Sequence, residues 1–157
     1  MKNSPFVLTA LVLTVASAAF AQAPVLSQVG NAGDYSITAA PGGLISLFGT
    51  NLATGTAVGT APLQNSLLGS SVQVLDGANT QDLPLWFVSA GQINAQLPYT
   101  IASSTVQLRV TTSGGTSGLL PVNIVPRAPR FLTITEDGLG RPVVTKSDYS
   151  VVNRSNA

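Results

Sequence analysis

The stretch Thr105-Val106-Gln107-Leu108-Arg109-Val110-Thr111 decides how this chain is read. Val106, Leu108 and Val110 point one way and Thr105, Gln107, Arg109 and Thr111 the other, the period-two pattern of a strand with one buried face. Working outward, residues 44–48, 71–75, 85–88 and 119–125 read as further strands, with weaker candidates at Ile134 and at Val143 and Val144. No segment after Gln22 sustains a helical period. The intervals carry turn chemistry: Pro41-Gly42-Gly43, Asp76-Gly77, Ala90-Gly91, Ser113-Gly114-Gly115 and Asp137-Gly138. Glycine reaches positive φ without penalty, and Asp-Gly suits a type I′ hairpin. Residues 51–63, with Gly55 and Gly59 among small side chains, read as a long surface loop. Short strands at this spacing predict an all-β sandwich or barrel.

Composition agrees. The 157 residues include 15 Gly and 10 Pro but are only 8% charged. A chain low in charge and rich in Ser, Thr and Gly suits strands and turns better than helices. At the N-terminus, Lys2 precedes an apolar run over residues 6–15, followed by small residues ending Ala19-Phe20-Ala21, the order of a secretory signal peptide. Ten apolar residues would span about 15 Å as a helix, half of a hydrocarbon core of about 30 Å, so a cleaved signal is expected and not an anchor. A second Ala-x-Ala at Ala21-Gln22-Ala23 would place Pro24 just after the cut, so cleavage is expected after Ala21. The mature single domain is then 22–157, secreted, periplasmic or on the cell surface, with no membrane span after cleavage.

Cleavage removes Lys2, one of 7 basic residues, and the remainder balance the 6 acidic ones. Arg109, Arg127, Arg130, Arg141, Lys146 and Arg154 are spread along the chain without aromatic interleaving, which argues against nucleic acid as a partner. Cysteine is absent although export leads to compartments where disulfides form, so stability must come from the core.

With neither His nor Cys in the sequence, Ser-His-Asp and Cys-His catalysis and His- or thiolate-ligated zinc are excluded. Ser89, in Val-Ser-Ala-Gly, lacks the preceding glycine of a nucleophile elbow and reads as a strand-end serine. A glycosidase needs two facing carboxylates. The adjacent pair Glu136-Asp137 precedes Gly138 and reads as a turn. Residues 76–82 space oxygen donors but put Ala78 and Gln81 where a calcium loop needs a ligand and a glycine, so a hairpin loop is expected. No cofactor is implied. Asn153-Arg154-Ser155 fits a glycosylation sequon to which no weight attaches.

Gln92, Asn94 and Gln96 alternate with Ile93, Ala95 and Leu97, a strand with a polar face. That face could bind a ligand, with Trp86 and Tyr99 nearby to stack on a sugar ring. A lone tryptophan in Leu85-Trp86-Phe87-Val88 reads instead as sandwich core. The candidate ligand contacts are Trp86, Gln92, Asn94 and Tyr99.

Residues 41–52 (PGGLISLFGTNL), 68–74 (LGSSVQV) and above all 87–99 (FVSAGQINAQLPY) resemble the Solibacter-type C-terminal module of secreted acidobacterial proteins, whose function is uncharacterised. Gly49-Thr50-Asn51-Leu52 is also similar to the opening of IPT/TIG immunoglobulin-like domains. The resemblance covers about residues 29–156 and implies an immunoglobulin-like antiparallel β-sandwich with no catalytic residues. Family members usually carry the module at the end of a longer protein and continue into strands with a Thr-Gly-Leu-Gly element. Here the chain stops at Ala157, so the resemblance implies an incomplete sandwich that self-associates through an open sheet edge or takes a strand from another protein. The expected function is that of a non-enzymatic structural or binding module, its partner a protein or polysaccharide. The alternatives are carbohydrate recognition through exposed aromatics such as Tyr35, Trp86 or Tyr99, and, least supported, a carboxylate-only hydrolase.

Overall fold

The computed structural model describes residues 21–135, 138–148 and 150–153. Residues 1–20 of the expected signal peptide, the pair Glu136-Asp137, and Arg154 and Ser155 of the sequon lie outside the described residues. Among those described, the chain forms strands and no helix. One sheet runs β1 (Val25–Asn31), β3 (Leu44–Thr50), β8 (Gln92–Gln96), β7 (Leu85–Val88) and β4 (Ala57–Val58). The other runs β2 (Thr38–Ala39), β11 (Leu120–Ile124), β9 (Thr105–Thr112), β5 (Ser71–Asp76) and β6 (Asn79–Asp82). β10 (Gly115–Thr116) pairs with the end of β9. All pairings are antiparallel except β2 with β11. In immunoglobulin lettering this is A-B-E-D against G-F-C-C′, with the first strand divided between the sheets. The expected immunoglobulin-like β-sandwich is therefore the fold.

Alternation builds the core. Val106, Leu108 and Val110 of β9 are buried, as are Val72 and Val74 of β5, and they share one cluster with Ile45, Leu47, Leu85, Val88, Ile93 and Ala95 of the other sheet. Each such aliphatic side chain contributes about 1.5–3 kcal/mol by leaving water, which is how a cysteine-free chain holds two sheets together.

The turn residues act much as their chemistry dictates. The Gly43 amide donates to the Ala40 carbonyl at 3.0 Å with Gly42 at φ 75°, a type II turn with Pro41 at its second position. The Asp76-Gly77 hairpin differs from expectation. Asp76 pairs with Asn79, so Gly77 and Ala78 form the turn, and only Gly77 has positive φ. That is the primed turn with glycine first, type II′, and not type I′. Residues 79–82 consequently form strand β6 in place of an open loop. The expected surface loop 51–63 contains β4 and tucks Leu52 and Ala53 into the core. Ile134, Val143 and Val144 are not in strands: the pairing there is confined to isolated bridges, Thr133 with Pro142 and Thr145 with Val151, so no ladder propagates.

Beyond β11 the chain turns back along the first sheet. The Asn31 carboxamide donates to the Ala128 carbonyl at 3.0 Å, and the Arg130 guanidinium pairs with Asp34. This return segment forms one side of the site described next.

Candidate functional site: a cleft on the outer face of the first sheet

The site begins with an irregularity in β7. Leu85 pairs with Ala95 and Phe87 with Asn94, so a bulge falls between Leu85 and Phe87. Leu85 and Val88 both point into the core. In a regular strand they would face opposite sides, because three steps along a period-two pattern reverse the face. One extra residue between them corrects the phase and leaves Trp86 and Phe87 together on the outer side. Trp86 is 51% exposed, which overturns its expected place in the core. Phe87 shares its face with Asn94, its cross-strand partner.

Next to Phe87, Ile93 and Ala95 turn inward and Gln92 and Asn94 outward. Asn94 lies opposite Ser46 on β3, and the Ser46 hydroxyl donates to Asn94 Oδ1 at 3.0 Å. Gln92 Nε2 donates to the same oxygen at 2.8 Å. The Asn94 carbonyl is thereby saturated. Its own NH₂ and the Gln92 carbonyl oxygen have no partner among the described residues and remain available to a ligand. Gln96 differs, since its Nε2 is spent on the Gly42 carbonyl at 3.1 Å.

Tyr35 supplies a second aromatic. It sits at φ 56°, a left-handed conformation that costs a bulky residue about 1–2 kcal/mol. The turn that holds it there is tied down: the Tyr35 amide donates to the Asn31 carbonyl at 2.8 Å, and the Asn31 amide to the Ser36 carbonyl at 2.8 Å. The Tyr35 ring meets Phe48 edge to face, centroids 5.3 Å apart at 81°.

Together these groups enclose a cleft of about 400 Å³. Its floor is Phe87, Gln92 and Asn94, one wall is Ala32 and Tyr35, and the return segment contributes Leu132, Thr133 and Val143. Among the described residues no charged side chain lines it. The nearby charges neutralise each other outside it: Arg130 pairs with Asp34, whose carboxyl also accepts the Ser36 hydroxyl at 2.7 Å and amide at 3.1 Å. Desolvation pushes the Asp34 carboxyl up, but the Ser36 hydrogen bonds and Arg130 together outweigh it and hold the group below its ordinary pKa.

The structure thus brings Gln92 and Asn94 together, places Trp86 beside their neighbour Phe87, and separates Tyr99. Tyr99 follows the far end of β8, 78% exposed, with its ring against Gly42, where a Cβ would come within 2.1 Å. The cleft residues Ala32, Phe87, Leu132, Thr133 and Val143, and Ser46 beneath Asn94, escaped the sequence reading. For Phe87 a signal existed: two aromatics between two aliphatics that both need burial require a bulge.

The remaining candidates have structural duties. Asp76 accepts the amides of Ala102 at 2.9 Å and Ser103 at 3.2 Å, and hydrogen bonding from Ser103 and then Ala102 lowers its pKa. Asp82 sits on β6 opposite Gln73. Ser89 closes the β7–β8 turn, its hydroxyl donating to the Gln92 carbonyl at 3.2 Å and accepting the Gln92 amide at 3.0 Å. Among the described residues no three His, Cys, Asp or Glu side chains converge as metal ligands, and no helix is long and apolar enough to cross a membrane.

Fold and site define the class: an immunoglobulin-like β-sandwich with an aromatic and amide cleft on its A-B-E-D sheet. No family model matches the sequence, and no curated protein matches it. Among solved structures the chain is similar to a "Putative phosphatase" from Bacteroides thetaiotaomicron VPI-5482, at 15% identity over 71% of this chain and 20% of that one, with a TM-score of 0.39. The chain therefore spans a fifth of that protein.

Proposed function

We propose that this protein is an exported, non-enzymatic binding module of the cell envelope or extracellular space, related to the acidobacterial IPT/TIG-like modules, and that it holds its ligand on the outer face of β3, β8 and β7. One observation carries the reading: the bulge between Leu85 and Phe87 turns two adjacent aromatics outward beside an amide pair whose remaining donors and acceptor are unspent. A sheet under no demand but stability would bury such aromatics, and bulges recur where a strand must re-aim a side chain. Among the described residues the cleft lining offers aromatic, amide and hydroxyl contacts and no charged group, which suits recognition better than turnover. The segment carrying the most specific resemblance, residues 87–99, supplies its floor.

The test is retention of envelope components on immobilised protein. Phe87→Ala with Asn94→Ala is expected to abolish retention while the double variant still melts cooperatively. Retention unchanged by the double substitution would remove this face from the function. Intact mass of the exported form checks the location, with Gln22 expected as the first residue.

A further inference from the structure

We infer that the cleft takes a neutral sugar chain, one pyranose ring against Phe87 with its hydroxyls on Asn94 and Gln92, and the next ring over Trp86. The inference rests on the outer face of β3, β8 and β7 being the ligand surface and names the ligand for it.

A pyranose ring presents a flat face of C–H groups and an edge of hydroxyls that both donate and accept. Recognising it takes an aromatic surface beside groups that supply both functions. Phe87 and Tyr35 give the first. Asn94 and Gln92 give the second, and they are held in place: Asn94 Oδ1 accepts from Ser46 and Gln92 simultaneously, which fixes the carboxamide so that its NH₂ donors and the Gln92 oxygen are offered side by side. Ser46 is 1% exposed, so this support is not exchanged for water.

The absence of charge among the described lining residues selects among ligands. A phosphate, sulfate or uronate would need a cation, and among the described residues none lines the cleft, while Arg130, two residues before Leu132, is engaged by Asp34. An ammonium or guanidinium group would need a carboxylate, and among the described residues none lines the cleft, Asp34 being engaged by Ser36 and Arg130. An uncharged ligand leaves none of these groups unpaired. A purely apolar one would strip water from the amides without replacing its hydrogen bonds, a loss of the kind that gives polar sites their selectivity.

The bulge also argues for a chain over a single ring. Phe87 lines the cleft whereas Trp86, the adjoining residue, stands outside it and half exposed. A ligand that filled the cleft alone would leave Trp86 in water, while one extending along β7 covers it.

The experiment titrates the isotopically labelled exported protein with glucose, cellohexaose, xylohexaose, mannohexaose and oligogalacturonate, reading side-chain amide and indole signals. At least one neutral hexasaccharide is expected to shift Asn94, Gln92 and Trp86 together, at least about tenfold more tightly than its monosaccharide. Trp86→Ala, at a half-exposed position that keeps the fold, should remove most of that length dependence. Asn94→Ala should weaken the hexasaccharide about tenfold or more. No shift with any neutral hexasaccharide at millimolar concentration, or shifts with oligogalacturonate alone, overturns the inference. If envelope components are still retained through Phe87 and Asn94 in that case, the ligand is a protein and only the sugar assignment falls. If retention is lost as well, the proposed binding face falls with it.

Discussion

Ser46 and Asn94 face each other across β3 and β8, and the Ser46 hydroxyl donates to the Asn94 carboxamide oxygen at 3.0 Å from a position almost sealed from solvent. Ser46→Ala should lower stability by about 0.5–1.5 kcal/mol, the net worth of one such hydrogen bond. Urea denaturation measures the loss. Side-chain exchange at Asn94 should rise in the same variant, since only Gln92 then orients the amide.

Trp86 should behave as a surface residue. Its fluorescence is expected to be strongly quenched by acrylamide, and Trp86→Ala to shift stability by less than about 1 kcal/mol. Its buried neighbour gives the contrast: Leu85→Ala should cost about 2–5 kcal/mol. Weak quenching together with a large loss in Trp86→Ala would return the tryptophan to the core and the bulge to an ordinary strand.

Asp34 ties the return segment to the sandwich through Arg130. Its pKa is lower folded than unfolded, so its contribution is present above the unfolded value of about 3.9 and is lost as pH falls through the folded value. The amide signals of Gly33 and Thr133 should therefore change on acidification below about pH 4 before the core melts. Asp34→Asn should produce a similar loosening at neutral pH, seen as faster tryptic cleavage after Arg127 and Arg130. Equal cleavage in both proteins would show that the latch does not hold the segment.

Two glycines should fail for different reasons. At Gly49 a Cβ would lie 1.9 Å from the Val25 carbonyl oxygen, a backbone atom that cannot step aside, so Gly49→Ala should cost at least about 1–3 kcal/mol and disturb β1. At Gly77 nothing lies within 4 Å but φ is +60°, so Gly77→Ala should cost only the conformational penalty of about 1–2 kcal/mol. Thermal melts of the two variants separate steric from backbone strain.

The edge strand β6 is exposed along its length and, among the described residues, pairs on one side only, with β5. Self-association through this edge is expected, with light scattering showing a mass that grows with concentration. Thr80→Lys, which adds an edge charge, should return the protein to a monomer. A wild-type monomer over a wide concentration range would show that this edge does not pair.

The sequence by itself determined the sandwich. β5 and β9 were legible because each buries one face and alternates over several residues, and the polar face of β8 for the same reason, while β3, β7 and β11 were legible as short apolar runs between turn signals. β1 was not, since a register shift between Leu26 and Gln28 breaks its phase and its buried residues Val29, Gly30 and Asn31 are consecutive. β6 offered no signal because all four of its residues are exposed, and β2, β4 and β10 are two residues each, too short to show a period. For the site, the sequence determined that Gln92 and Asn94 share a face. Only the tertiary structure decided that Ser46 would fix them, that Tyr35, Leu132, Thr133 and Val143 would close around them, and that Trp86 would face water. Periodicity is a local property, whereas a cleft is made where segments far apart in the chain meet, and the extra residue in β7 is read only against the partner strand that sets its phase.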